Sequence, residues 1–176
     1  MTPPLIPTRL PGLILLQPEP ISDTRGSFTR LSCVSTLAAH GIEFLPTQTS
    51  ISRSSLRGTL RGMHFQLPPS TEIKIVHCIA GAVFDVVLDL RPDSPTFQKH
   101  AATELNDGQG VLVPAGCAHG LLTLTDDAAV LYQIDREHDP ERARGVRWDD
   151  PAFAIVWPFT RVVMSDRDAN WPDFVP

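Results

Sequence analysis

The amino-acid sequence predicts an all-β fold, either a sandwich or a barrel, with few helices. Short apolar runs recur along the chain between Gly, Pro, Asn and Asp clusters, a spacing typical of many short strands. Residues 73–79 and 83–90 alternate strongly, as half-buried strands do. Lys74, Asp85 and Asp89 interrupt these runs. Isolated charges in apolar strands indicate that one sheet face lines a polar cavity.

The other elements follow from the same patterns, taken in order. Further strands are predicted at residues 13–16, 48–54, 59–66, 97–105, 110–113, 121–124 and 128–134. Turns are predicted at residues 23–28, 55–58, 80–81 and 91–95, a hairpin signal at 106–108, and a tight loop at 114–120. Pro68 and Pro69 end the strand before them, because proline cannot donate to a sheet ladder.

One helix is predicted in the first half of the chain, at residues 35–40. Ser35 is the expected N-cap and Gly41 the C-terminal stop. The turn at 23–28 holds Gly26, which can adopt a positive φ. Arg25 in that turn is, on its own, an ordinary solvated residue.

Composition limits the classes of function. The chain has 176 residues and a formal net charge of -5, which argues against a general nucleic-acid binder. Charges break up the most apolar region, residues 73–90, so no membrane span is expected, and residues 13–16 are too short a run for a signal peptide. The three cysteines show no C-x-x-C spacing, which favours reduced thiols and a cytoplasmic protein. We expect one domain, residues 1–176.

The segment Leu60-Arg61-Gly62-Met63-His64-Phe65-Gln66 carries the first chemical signal. In a strand, Met63 and Phe65 face one way and His64 and Gln66 the other. Gly62 permits close approach of another backbone or a ligand. A lone strand histidine is usually structural, so the interpretation depends on other residues.

Lys74 interrupts an apolar strand, where an unpaired ammonium group is costly. Pairing with Asp85 on the adjacent strand is a structural alternative to a chemical role. A β-barrel metal site would need more ligands near His64, but Gln66 and Lys74 stand where ligands would be useful. Metal-free chemistry is therefore favoured. Cys117 near His119 offers only a weak signal for a nucleophile, because small buried thiols are common.

Proton transfer at carbon fits these residue types best. Such a reaction needs a base with a pKa near neutral, a cation for the enolate oxygen, and an acid. His64, Lys74 and Tyr132, the single tyrosine, supply this set, and Asp168 is the candidate carboxylate that orients the histidine. If base and acid lie on opposite faces of the substrate, the reaction is an epimerisation.

Ten motifs in order make the sequence, from about residue 13 to residue 172, resemble the dTDP-4-dehydrorhamnose 3,5-epimerase family of the cupin superfamily. They are Asp23-x-Arg25-Gly26-x-Phe28, the segment 60–66, Lys74-x-Val76, Gly81-x-Val83-Phe84-Asp85-Val86, Asp89-Leu90-Arg91-x-x-Ser94-Pro95-Thr96-Phe97, Pro114-x-Gly116-x-Ala118-His119-Gly120, Tyr132, Trp148-x-Asp150-Pro151, Trp157-Pro158 and Ser165-x-Arg167-Asp168. The resemblance implies a homodimeric jelly-roll barrel, no metal or other cofactor, and an NDP-4-keto-6-deoxysugar substrate, most simply dTDP-linked.

The resemblance also implies residue roles: His64 as base oriented by Asp168, Tyr132 as acid, and Lys74 at the enolate. The expected substrate-binding residues, some of them from the partner subunit, are Arg25, Phe28, Gln48, Arg61, His119, His138 and Arg167. The chain departs from the family pattern at Arg30, Ser50, His138 and Ala143, which favours an altered nucleotide or sugar specificity. Epimerisation of C3 alone or C5 alone, a non-catalytic sugar-nucleotide binder and a metal-dependent cupin stay open as alternatives.

Overall fold

The computed structural model describes residues 4–175 and contains thirteen strands and two short helices in that range. The strands are β1 Leu5–Pro7, β2 Ile14–Leu16, β3 Ile21–Asp23, β4 Gly26–Phe28, β5 Gln48–Ser54, β6 Leu60–Gln66, β7 Lys74–Ala80, β8 Ala82–Asp89, β9 His100–Asn106, β10 Gly110–Val113, β11 Cys117–Thr123, β12 Ala128–Ile134 and β13 Ala143–Gly145. The helices are α1 Val34–Ala39 and α2 Asp166–Ala169. The predicted all-β class is confirmed.

Two antiparallel sheets form the cupin jelly roll. One has the strand order β1-β2-β10-β7-β12-β5 and the other β13-β6-β11-β8-β9, while β3 and β4 form a separate hairpin. The chain repeatedly crosses between the sheets, because β7 and β8, β9 and β10, and β11 and β12 lie in different ones. The turns predicted at residues 80–81 and 106–108 are present. The hairpin predicted at 106–108 was wrong, because the strands on either side of it, β9 and β10, do not pair with each other.

The predicted alternation of β7 and β8 is confirmed. Val76 and Cys78 of β7 meet Val83 and Val87 of β8 in a core between the sheets. The opposite face of β8 packs against the segment around Phe153. Burying one apolar face of each sheet against the other is the usual source of stability in such folds. Toward one end of this core the inward residues become polar, and that end holds the candidate site.

The outer faces of the two sheets have different covers. Helix α1 and Phe44 cover Leu16, Ile75 and Leu112 on the six-stranded sheet. Segments after β13 cover the other sheet, and α2 contacts β6. This C-terminal contact carries Asp168 to the middle of β6, far from its place in the sequence.

Three local predictions need correction. The N-cap of α1 is Cys33 rather than Ser35, because Cys33 has the extended backbone and its carbonyl accepts the amide of Leu37. The predicted strand 97–105 begins only at His100, since the preceding residues form turns. The predicted loop 114–120 is a short turn followed by β11, so that His119 lies within a strand.

Other local predictions hold. Gly41 follows α1 with a φ of +74°, and Gly26 adopts a φ of +130° in the β3–β4 turn. Cys33, Cys78 and Cys117 are free thiols. Between residues 4 and 175, neither helix is long and apolar enough to cross a membrane.

Candidate active site

A pocket of about 370 Å³ opens at the polar end of the barrel, between the two sheets. This volume falls in the range that small-molecule sites occupy. The lining residues are Gln48, Ser50, Ser52, Arg61, His64, Phe65, Gln66, Glu72, Lys74, His119, Tyr132, Ile134, His138, Ala143, Arg144, Arg167 and Asp168. The four residues predicted as catalytic are therefore brought together in one cavity.

His64 and Asp168 form a hydrogen-bonded pair at this pocket. His64 Nε2 lies 2.7 Å from Asp168 Oδ1, and the amide of Gly62 donates to Asp168 Oδ2 at 3.2 Å. Burial alone would raise the pKa of the Asp168 carboxyl, but the bonds from His64 and Gly62 outweigh it and hold that pKa below its usual range. An ionised carboxylate only accepts, so Nε2 carries the proton and Nδ1 keeps its lone pair.

The backbone explains why Asp168 meets His64. Ser165 caps α2 by accepting the amide of Asp168, which fixes the carboxylate against β6. In β6 itself, a Cβ on Gly62 would lie only 2.5 Å from Gly120 Cα of the neighbouring strand β11. The predicted close backbone approach at Gly62 is confirmed, and it places His64 directly opposite His119.

His119 has its own carboxylate, Asp85 on β8. His119 Nε2 lies 2.8 Å from Asp85 Oδ2, and both side chains are buried. Asp85 Oδ1 is buried without a hydrogen-bond partner among the described residues. The alternative pairing of Lys74 with Asp85 is wrong, because β7 and β8 belong to different sheets.

Lys74 pairs instead with Glu72, a residue that sequence reasoning missed. Lys74 Nζ lies 2.8 Å from Glu72 Oε1, and both side chains are almost fully buried. Glu72 Oε2 accepts from Gln66 Nε2 at 2.9 Å. A carboxylate two residues before a buried strand lysine is a signal that could have been noticed, since such residues can share a face.

Tyr132 reaches the pocket from β12 in the six-stranded sheet. Its ring meets His119 edge-on, with ring centroids 6.1 Å apart. Burial and the nearby Asp85 charge raise the pKa of the Tyr132 phenol well above its usual value near ~10. The hydroxyl is therefore protonated near neutral pH and is a proton donor.

Four predicted substrate-binding residues besides His119 also line the pocket: Gln48, Arg61, His138 and Arg167. Arg61 donates to Ser54 Oγ at 3.2 Å, and the guanidinium of Arg167 lies over the Trp171 ring at 5.1 Å. Arg144 lines the pocket too and was not predicted. In the described part of the chain these three arginines have no carboxylate partner, so the pocket offers cations to an anionic ligand.

Arg25 and Phe28 do not reach this pocket. They lie on the β3–β4 hairpin beside a different surface cleft, where Arg25 pairs with Asp23 and Phe28 is 62% exposed. Of the departures from the family pattern, Ser50, His138 and Ala143 line the pocket and Arg30 does not.

The alternative chemistries have weaker support in the geometry. In residues 4–175 no group of three or more His, Cys, Asp or Glu side chains is placed to hold a metal ion. Gln66 is engaged by Ser70 and by the amide of Asp139, so it is not free to act as a ligand. Burial raises the pKa of the Cys117 thiol to about 12, which disfavours a thiolate nucleophile.

Comparisons with known proteins agree on one family. The family model described as dTDP-4-dehydrorhamnose 3,5-epimerase matches residues 7–175. The dTDP-4-dehydrorhamnose 3,5-epimerase of Sinorhizobium fredii is 38% identical over 161 residues, covering 90% of this chain and 83% of the relative.

Two solved structures are similar over nearly the whole fold. The epimerase of that name from Bacillus anthracis, with TDP and PPi bound, has a TM-score of 0.94 at 36% identity, covering 97% of this chain and 99% of its own. A 3'-monoepimerase from Streptomyces bikiniensis in complex with dTDP-quinovose has a TM-score of 0.88 at 33% identity, covering 98% of this chain and 87% of its own.

Proposed function

This chain belongs to the dTDP-4-dehydrorhamnose 3,5-epimerase family and is a sugar-nucleotide epimerase, and we propose that it inverts C3, C5 or both of a dTDP-linked 4-keto-6-deoxyhexose. The observation that best supports this proposal is that the His64–Asp168 pair, Lys74 and Tyr132 line one pocket. A hydrogen on carbon next to a ketone is acidic only if the resulting enolate is stabilised. The pocket offers a base, a cation and an acid for that purpose.

His64 is the proposed base. Asp168 accepts a hydrogen bond from the Nε2–H group of His64, so the lone pair on Nδ1 is available to take a proton from C3 or C5. When the ring becomes an imidazolium, the carboxylate stabilises its new charge. The His64 side chain is 40% exposed, which lets the acquired proton exchange with water.

Lys74 is the proposed enolate stabiliser, and Tyr132 the proposed acid. As the proton leaves carbon, negative charge develops on the C4 oxygen, and a preplaced ammonium group lowers the energy of that state. The Tyr132 phenol stays protonated because burial raises its pKa. Protonation from the face opposite His64 then inverts the carbon.

The remaining pocket residues hold the nucleotide sugar. Guanidinium groups form paired hydrogen bonds with phosphate oxygens, so Arg61 and Arg167 are proposed to bind the diphosphate. Gln48, His119 and His138 are proposed to bind the sugar and base through hydrogen bonds. We also propose that residues 1–176 act as a single domain.

We propose that the protein works as a homodimer, in which Arg25 and Phe28 complete the pocket of the partner subunit. The exposed phenyl ring of Phe28 and the position of the hairpin outside its own pocket support this arrangement. Ile51 and Ile79 are also exposed on the outer face of the six-stranded sheet, where a second copy could cover them.

Mixing two inactive variants tests this arrangement. One variant carries His64→Ala, and the other carries Arg25→Ala with Phe28→Ala. If the hairpin acts across the dimer, random exchange of subunits restores about a quarter of the wild-type sites, since half the dimers are mixed and each has one complete site. A mixture that stays inactive after confirmed subunit exchange contradicts the arrangement.

The proposed reaction is tested by incubating the protein with dTDP-4-keto-6-deoxyglucose and related NDP-4-keto sugars in deuterated water. NMR should detect deuterium at C3, at C5 or at both, and the pattern identifies a mono-epimerase directly. Tyr132→Phe should impair inversion more than exchange, because it removes the acid but leaves the base. Tight binding without exchange by the wild-type protein would instead indicate a non-catalytic sugar-nucleotide binder.

A further inference from the structure

We infer that Glu72 is a positioning residue that acts through Lys74 and holds its ammonium group where the enolate oxygen forms. This inference rests on the proposed function, because it concerns how the enolate stabiliser is placed. Glu72 has no part in the mechanism described above, although it lines the pocket with its carboxylate almost fully buried.

The Lys74 ammonium group is enclosed and depends on few partners. Its side chain is 8% exposed, and Nζ lies 2.8 Å from Glu72 Oε1 and 3.4 Å from the carbonyl oxygen of His64. Removing a cation from water is costly unless a close opposite charge compensates. Glu72 supplies that charge, so it decides where the end of this flexible side chain rests.

Glu72 is itself fixed through Gln66. The Gln66 amide nitrogen donates to Glu72 Oε2 at 2.9 Å and to the carbonyl of Ser70 at 3.0 Å. The Gln66 side-chain oxygen accepts the amide of Asp139 at 2.7 Å. Each oxygen of the Glu72 carboxylate thus has its own partner, and the group cannot rotate without breaking one of these bonds.

This connection joins the two sheets at the pocket. Gln66 lies on β6, two residues from His64, whereas Lys74 begins β7 in the other sheet. The Gln66–Glu72–Lys74 contacts therefore set the position of the cation relative to the base. A fixed relation between the two groups matters most when the proton leaves carbon and charge appears on the oxygen.

The kinetic test is Glu72→Gln, which keeps the shape of the side chain and removes its charge. We expect kcat to fall about 10–100-fold, with KM changed by less than about threefold, because placement of the ammonium is lost while sugar-nucleotide binding is not. Glu104→Gln, on the exposed edge strand β9, is the matched control and should leave both constants unchanged.

A double-mutant cycle shows whether Glu72 acts through Lys74. In a Lys74→Met background, Glu72→Gln should cost almost nothing further, because the group that it positions is absent. Glu72→Asp should recover part of the lost kcat. Equal losses in both backgrounds, wild-type kcat in Glu72→Gln, or no difference between the Asp and Gln variants would each overturn the inference.

A second measurement does not depend on activity. Lys74 and Lys99 are the two lysines of the sequence, so protein labelled with nitrogen-15 lysine has two ammonium signals. Glu72→Gln should shift or broaden the Lys74 signal and leave the exposed Lys99 signal in place. An unchanged Lys74 signal in Glu72→Gln refutes the positioning role. If the signal changes in Glu72→Gln but the wild-type protein is inert toward NDP-4-keto sugars, only the proposed function is refuted.

Discussion

Two histidine–aspartate pairs face each other across β6 and β11, and they differ mainly in their access to water. His64 and Asp168 are joined at 2.7 Å, and His119 and Asp85 at 2.8 Å, through the same ring atom Nε2. The His64 side chain is 40% exposed, but that of His119 is only 4% exposed. The two histidine–aspartate hydrogen bonds are therefore similar in length, but the two histidine rings differ in their exposure to water.

The difference suggests why one histidine is suited to proton transfer and the other to binding. A base must reach the substrate and return its proton to solvent, which His64 can do. His119 is enclosed between Asp85 and Tyr132, so its ring is held in one orientation. The residue types do not separate these proposed roles, whereas the exposure of each ring does.

His64→Ala is the sharpest way to break this comparison. We expect hydrogen exchange at the sugar carbons to fall by at least about a thousandfold, because the proposed base is removed. Measured beside it, His119→Asn should act mainly by raising KM, since a ring that only binds can be replaced partly by another polar group. Equal losses of kcat in the two variants would contradict the division of roles.

Asp168→Asn tests the next largest effect. An asparagine keeps the size of the side chain but can present an NH2 group to His64, which favours the wrong tautomer. We expect kcat to fall about 100-fold with a small change in KM. Exchange at the wild-type rate would mean that His64 needs no carboxylate to orient it.

Asp85→Asn should have a smaller effect on catalysis than Asp168→Asn. The buried His119 has little freedom to reorient, so we expect a loss of kcat/KM of about tenfold or less and a lower unfolding free energy by about 1–2 kcal/mol. Steady-state kinetics and urea unfolding measure the two quantities. A larger kinetic loss than that of Asp168→Asn would reverse the comparison.

Asp89→Asn extends the comparison to a buried carboxylate outside the pocket, and it should leave kcat unchanged. Burial alone would raise the pKa of Asp89, but bonds from Arg91, Ser94 and Thr96 outweigh it and hold that pKa well below its usual range. A lowered carboxyl pKa stabilises the fold above the unfolded-state value of ~3.9, and this stabilisation is lost as the pH falls toward the folded-state pKa.

The loss of stability in Asp89→Asn should therefore depend on pH. We expect the variant to have an unfolding free energy about 3 kcal/mol lower than that of the wild type near neutral pH. This difference between variant and wild type should become smaller as the pH falls from about 5 to about 3. Urea unfolding across that range measures it. A difference that stays constant across this range would show that the Asp89 contacts do not depend on its charge.

Much of the fold could be predicted because strand alternation and turn residues are local. β5 was predicted to the residue, and the alternation of the side chains of β7 and β8 between two faces was correct. Sheet membership is not local. The same short turn serves a hairpin or a crossing between sheets, so the sequence at 106–108 could not distinguish them.

The candidate site also contains residues that could be predicted from the local sequence and contacts that could not. His64, Lys74 and Tyr132 stood out because polar groups in apolar strands are costly and therefore informative. The carboxylate partners of Lys74 and His119 were harder to predict. Glu72 precedes the strand that carries Lys74, and Asp85 contacts His119 across a strand pairing that only the sheet order reveals. Asp168 was found as a candidate, but its contact with Gly62 was not.

The distance along the chain between His64 and Asp168 bears on when the protein becomes competent during synthesis. His64 lies on β6, whereas Asp168 lies on α2, which follows every strand in the chain. A ribosome adds only about 5–20 residues per second, so the last barrel strand is synthesised about 1–5 seconds before Asp168, the partner of His64. The barrel of the nascent chain can thus form before Asp168 orients the imidazole of His64, and activity should begin only after α2 has docked on β6.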